Sequence, residues 1–249
     1  MENQNTQTAQ IEKINPFKIE EVYSKEITLR PGKTVQARKW KVKDRKNLKK
    51  LIEERGEDIS PIQLASVLIF PCLKNKDILL TEEEIKFLLS EIRAISISDK
   101  FKFSYICSNE DCNKLNDQEI LVQDVNKSKF NNWGVAEIDG IEVEFGEIVN
   151  SKFYYEKMYE FKDPSERNLA DMAMHIVRVN DFEASIKFEQ FMTYFNEMDT
   201  DLLDQIVQEY KKQKFMQDNE HECECTFCGT KQKFIFDEIP DFFPKSWFE

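Results

Sequence analysis

The six cysteines are the residues of this sequence with the most chemistry to offer, and their spacing narrows what that chemistry is. Cys107 and Cys112 flank Ser-Asn-Glu-Asp, directly after the run Phe101-Lys-Phe-Ser-Tyr-Ile106. Cys225 and Cys228 flank Thr-Phe, then come Gly229 and the run Lys231-Gln-Lys-Phe-Ile-Phe236. Each pair reads as a strand–turn–strand knuckle. Two such knuckles packed together present four thiolates in a tetrahedron, which is the ligand set of structural Zn²⁺. Gly229 suits a tight turn in which backbone N–H groups approach sulfur. Cys-x-x-Cys-Gly between strands is a good zinc signal alone, whereas Cys-x₄-Cys is looser and the two pairs lie far apart in the chain. Cys223 and His221 are close enough to the second pair to substitute as ligands, and reduced cysteines with no metal are the plain alternative. A redox pair at Cys225 and Cys228 would want a thioredoxin-like strand-to-helix context, which is missing. Cys72 sits in an apolar run and reads as inert core filling. A four-thiolate site is coordinatively closed, so it holds structure and does not activate water. Here it would pin the end of the chain onto its middle.

No other cluster promises catalysis. Of the two histidines, His175 lies between Met174 and Ile176 and reads as a satisfied, half-buried residue. Gly-x-Ser-x-Gly, the P-loop, the dinucleotide fingerprint and His-Glu-x-x-His do not occur. Six glycines leave little material for a phosphate cradle. The acidic run Glu82-Glu83-Glu84 is better explained as a helix start. The expectation is a protein that is not an enzyme.

A formal charge of −12 argues against broad nucleic-acid binding. The stretch from Arg30 to Lys50 is nevertheless strongly basic, with Asp44 its only acid. It is the solvated face of a hairpin and helix, or a patch for an acidic protein partner with Lys46, Lys49 and Lys50 as contact residues, or, as the lesser reading, a patch for nucleic acid. A second candidate surface is the aromatic end of the chain. Its prolines prevent a regular element from burying Phe242, Phe243, Trp247 and Phe248, which either pack over the zinc lobe or dock into a partner groove.

The elements that must position these residues read as an α+β protein. Residues 1 to about 15 offer nothing to bury and read as a disordered tail. Residues 16–249 read as one α+β domain whose zinc lobe is formed by about 100–124 and 218–240. Glu26 to Arg30 and Thr34 to Trp40 form a hairpin about Pro31-Gly32. Asp44 is the expected N-cap of a helix carrying Leu48, Leu51 and Ile52. Ile62 to Leu73 is apolar nearly all round and reads as a buried helix ending near Pro71. Thr81-Glu-Glu-Glu84 is a capping box before Ile85, Leu88, Leu89 and Ile92. Strands follow at Phe101 to Ile106 and Glu119 to Val122, then a hairpin turning at Asp139-Gly140 between Val135–Ile138 and Ile141–Phe145. Asp163-Pro-Ser-Glu166 opens a helix. Ile176 to Val179 is a short strand or that helix continued. Thr200 caps a helix with Leu202, Leu203, Ile206, Val207 and Tyr210 on one face. No apolar run reaches the roughly 20 residues of a membrane span, and the start lacks a signal-peptide pattern, so the cysteines are expected to stay reduced inside a cell.

In this order the elements resemble the baseplate hub and hub-assembly proteins of T-even type contractile-tailed bacteriophages. The features that match are the hairpin leading into Trp40-Lys-Val-Lys-Asp44 and a helix, the apolar helical segment, and the aromatic strand running into Cys107 and Cys112. The hairpin at Ile141 to Phe145, the helix from Thr200 and the second knuckle before a Lys-containing strand complete the match. Relatives tend to have a short Cys-x-x-Cys in the first knuckle, from which this chain departs. The resemblance implies a late phage protein that helps build the baseplate hub. It would act as a hub subunit or a chaperone-like factor for hub or tape-measure proteins, and it offers no catalytic residue. Its place would be the host cytoplasm during assembly, whether or not it stays in the virion. The competing reading is a cytoplasmic zinc-ribbon adaptor in transcription or RNA handling that uses the Arg30 to Lys50 patch.

Overall fold

In the computed structural model the described residues are 21–56, 59–129, 132–148, 151–183, 188–218 and 220–235. The expected tail at 1–15 and the aromatic residues Phe242, Phe243, Trp247 and Phe248 lie outside them. The first hairpin pairs β1 (Lys25–Arg30) with β2 (Lys33–Ala37). Its turn needs Gly32 at φ +80, a conformation that costs glycine nothing. Alternation then places Ile27, Leu29, Val35 and Ala37 inward, where all four are buried.

Helix α1 (Val42–Arg55) starts earlier than expected. Asp44 is not its N-cap; that residue is Lys41, and Asp44 reaches back to accept from the Lys41 N–H at 2.8 Å. The reason is Arg38, whose buried guanidinium needs an anion and finds Asp44 Oδ2 at 2.8 Å. Ser60 caps α2 (Pro61–Leu68), with proline at its tolerant first position. The helix stops at Leu68, and a 3₁₀ turn over Phe70–Cys72 carries the chain through Pro71. The following residues bond onto β2, Arg38 N–H to Cys72 O and Lys74 N–H to Gln36 O, both at 2.9 Å. Thr81 and Glu84 exchange the expected capping bonds at the head of α3 (Glu82–Ser96), which buries Ile85, Leu88, Leu89 and Ile92. These elements enclose the first apolar core.

The chain then forms β3 (Lys100–Ile106), β4 (Leu115–Leu121), a short α4 (Val122–Val125) and β5 (Lys127–Lys129). Strand β4 begins before the expected Glu119 because the cysteine turn between the strands is tight. The hairpin of β6 (Val135–Ile138) and β7 (Ile141–Phe145) turns at Asp139 and Gly140 with φ of +49 and +80, as a two-residue turn with both residues left-handed requires. Next come α5 (Ser151–Glu160) and α6 (Pro164–His175), the latter capped by the Asp163 carboxylate. Ile176–Val179 is a strand, β8. β-branched residues and the open edge of β7, which takes Val179 and Arg178 into register, favour it over more helix. After β9 (Phe182–Glu183) come α7 (Phe188–Glu197) and α8 (Thr200–Gln213). Thr200 is the first helical residue of α8, and Asp199 stands at the cap position. The sheet β6-β7-β8-β9 and helices α6, α7 and α8 bury a second core around Phe145, Met172, Phe191, Phe195 and Tyr210. Finally β10 (Met216–Asp218) pairs with β5, and β11 (Glu220–Glu224) pairs with β12 (Lys231–Ile235).

Candidate metal centre

Two separate ribbons, β3–β4 and β11–β12, carry the cysteines on the turns that join their strands. Each turn closes by the same bond. Cys107 N–H donates to Lys114 O at 3.0 Å, and Cys225 N–H donates to Thr230 O at 2.9 Å. In the second knuckle Gly229 follows Cys228 at φ +75 and donates its N–H to Cys225 O. In the first knuckle Asn113 follows Cys112 at φ +42. Asparagine is among the few residues with a side chain that visit this region readily. The extra length is absorbed by Asn109, whose carbonyl takes the N–H groups of Cys112 and Asn113 and whose side chain takes that of Asp111. Cys-x₄-Cys therefore closes the same knuckle as Cys-x-x-Cys.

Packing the two ribbons brings four sulfurs together across as many as 121 residues of sequence. Cys107 Sγ lies 3.6 Å from Cys228 Sγ, and Cys112 Sγ lies 3.7 Å from Cys225 Sγ. All four lie within 4.8 Å of one another. Zn–S bonds of about 2.3 Å at tetrahedral angles would set sulfurs about 3.8 Å apart, so the donor set fits a four-thiolate ion. Backbone N–H groups point at every sulfur from two residues on: Asn109 at Cys107, Lys114 at Cys112, Phe227 at Cys225 and Thr230 at Cys228. Such donors favour thiolate over thiol. For Cys225, burial is outweighed by the N–H groups of Phe227 and Cys228 and by Asn116, and its pKa falls to about 6. The side chain and N–H of Thr230 lower that of Cys228. Burial, then the adjoining sulfurs, pushes Cys107 up to about 12 and raises Cys112. Four thiols this close cannot all ionise unaided, and a divalent cation removes the conflict.

The ribbons are also joined by aromatic and polar contacts. Phe234 on β12 packs on Phe103 and Tyr105 of β3, with ring centroids 5.3 and 4.8 Å apart. Gln232 accepts from the Ser108 N–H at 2.8 Å. Asn116, on β4 opposite Tyr105, donates to Cys225 Sγ at 3.4 Å and accepts from both the N–H and the hydroxyl of Thr226 at 3.0 Å. Reading the sequence missed Asn116; an asparagine at an inward position of a strand, close after a cysteine pair, was the available signal. Cys223 is buried, but neither it nor His221 belongs to the four-sulfur group. Cys72 is buried in the first core, and burial pushes its thiol up to about 12.

The family described as T4 bacteriophage base plate protein matches residues 21–244. The chain belongs to that family. No curated protein and no solved structure matches it. In this baseplate protein both knuckles lie inside the matched span.

The basic stretch of the baseplate protein divides in two. Arg38 is buried on Asp44, Lys33 holds Glu84 at 2.6 Å, and Arg30 is buried beside Glu84 and bonds Glu147. These cations are counter-ions for buried carboxylates. Lys46, Lys49 and Lys50 are exposed on α1, Lys50 lying 3.6 Å from Glu54 one turn on. His175 is fully buried, not half-buried as expected, because the second core closes over the end of α6. Its Nδ1 donates to Gly146 O at 2.7 Å, its ring stacks on Trp133, and Nε2 lies 3.9 Å from Asp171 Oδ1. Asp171 in turn accepts from Tyr154, Tyr210 and Lys214. No helix among the described residues is long and apolar enough to cross a membrane.

Proposed function

We propose that this baseplate protein is a non-enzymatic hub subunit or chaperone-like hub-assembly factor, which binds sibling hub or tape-measure proteins. The four-sulfur group carries this reading. Its donors are all thiol sulfur and would hold Zn²⁺ through Cys107, Cys112, Cys225 and Cys228. The ion would neutralise the thiolates and cross-link two distant ribbons; with four protein ligands it has no open position for substrate. The chain is thereby given a rigid lobe for display to partners. The family places it among baseplate proteins, and the hub role is the finer step of this proposal. Lys46, Lys49 and Lys50 on α1 and the aromatic residues Phe242, Phe243, Trp247 and Phe248 are its partner-binding groups.

The test is removal of the gene from its phage. Heads should form while baseplates stall before the hub is complete. Truncation after Phe236 should give a folded, metal-loaded protein that fails at the same step. Normal baseplates without the gene would sink the assembly role, and an unfolded truncation product would show that the aromatic end belongs to the core.

A further inference from the structure

The second core leaves a groove of about 500 Å³ open between the sheet and helices α7 and α8. Ile141, Val143 and Ile176 form its floor, and Tyr194, Met198 and Ile206 form its wall. Among the described residues that line it, none carries a charge. Its surroundings are acidic. Asp139, Asp181, Glu197 and Asp199 are all exposed, and each lies one or two residues from a lining residue. Arg178, a cation on the same sheet, is engaged by Glu142 and Glu144 at 3.4 and 2.9 Å.

The opposite pattern stands on the first hairpin and α1. Val22 and Val42 are 70% and 74% exposed, and the Glu21–Lys41 ion pair at 2.8 Å draws their segments together. Lys43, Arg45 and Lys46 are exposed around Val42. The dipole of α1 is served by Asp44 in its first turn and Arg55 in its last, whereas Lys43, Arg45 and Lys46 near its start are not placed to serve it, so folding of α1 does not explain them. An exposed apolar knob with cations beside Val42 thus stands on a chain that also carries an apolar groove with acids beside its lining residues. Val42 is exposed, so the knob does not fill the groove of its own chain.

We propose that the Val22–Val42 knob of one copy seats in the Ile141–Ile206 groove of the next, so that the protein associates head to tail. Such a heterologous contact closes into a ring if the rotation allows and otherwise extends as a chain. The contact is small, so a Kd on the order of micromolar or weaker is expected. The inference rests on reading the cationic face of α1 as a protein-docking surface, and it names one acidic surface that this face fits.

Sedimentation velocity of the full, metal-loaded chain tests it. Association should grow with concentration and weaken as salt is raised to roughly 0.5 M. Val42→Asp, and separately Tyr194→Asp at a groove residue that is 51% exposed, should each raise the Kd by about tenfold or more without unfolding the chain. Mixing the two variants should give a one-to-one dimer that grows no further, because one retains the groove and the other the knob. A parent that stays monomeric, an association indifferent to either variant, or a mixture that stays monomeric would each overturn the proposal. A monomeric parent that still binds a baseplate sibling through Lys46, Lys49 and Lys50 would overturn this inference and leave the proposed function standing.

Discussion

Asn116 donates to the sulfur of Cys225 at 3.4 Å across 109 residues of sequence, while its amide oxygen holds Thr226, the next residue along, by two bonds of 3.0 Å. One buried side chain on β4 thus sets both a sulfur of the four-cysteine group and the turn that carries it. Groups that orient metal ligands in this way commonly change affinity by about 10–100-fold when removed. Asn116→Ala should weaken metal binding by that order and lower stability by about 1–3 kcal/mol, since the Thr226 N–H and hydroxyl lose a buried acceptor. Chelator competition and thermal unfolding measure the two effects. Unchanged affinity would mean that the Cys225 contact does not tune the site.

One tightly held Zn²⁺ per chain is expected from metal analysis of the purified protein. Serine at Cys107, Cys112, Cys225 or Cys228 should release it, and Cys72→Ser should not. Chelation should open residues 107–114 and 225–230 to hydrogen exchange together, because the ion joins them. Exchange rising in the second knuckle alone would show that the two do not share a metal.

Asn113 and Gly229 follow the second cysteine of their knuckles with φ of +42 and +75. At Gly229 a Cβ would meet Glu224 Oε1 at an ordinary 3.6 Å, so the cost of a side chain there lies in the backbone. Gly229→Val should destabilise by about 1–2 kcal/mol, whereas Asn113→Gly should be close to neutral. Urea unfolding of the metal-loaded variants reads this directly. A neutral Gly229→Val would contradict the shared turn.

His175 gives the fold a pH dependence of known sign. Burial lowers its pKa below the ordinary 6.5, against the pull of Asp171. As pH drops below about 6.5 the unfolded chain takes up a proton that the folded chain resists, so stability falls. For Asp171, burial is outweighed by Lys214, then by His175 and the bonds from Lys214 and Tyr210, and its pKa is lowered. Its contribution is lost only below about pH 3.8, outside the first window. The urea midpoint should therefore decline from pH 7 to 5.5, and less steeply in His175→Gln. Equal slopes in both proteins would remove His175 as the cause. Comparing slopes separates this effect from protonation of the thiols, which both proteins share.

Whatever short-range chemistry settles could be read from the order of residues alone. The Thr81–Glu84 capping box, the Asp163-Pro164 helix start and the Asp139-Gly140 turn all stand where the residues demand them, because caps and turns are settled within a few positions. The α+β class and the two cysteine pairs were legible for the same reason. Tertiary structure decided whatever depends on a distant partner. Asp44 stands at the third helical position and not at the N-cap because Arg38 is buried beside it, and Arg30 and Lys33 turned inward to meet Glu84 and Glu147. Ile176–Val179 became a strand once the β7 edge lay beside it. The sulfurs met where Phe234 packs on Phe103 and Tyr105 and Gln232 bonds Ser108, and Asn116 acquired a role only when Cys225 reached it. Local pattern fixes which groups a segment can offer; the long-range packing of one ribbon against another fixes which of those offers is taken up.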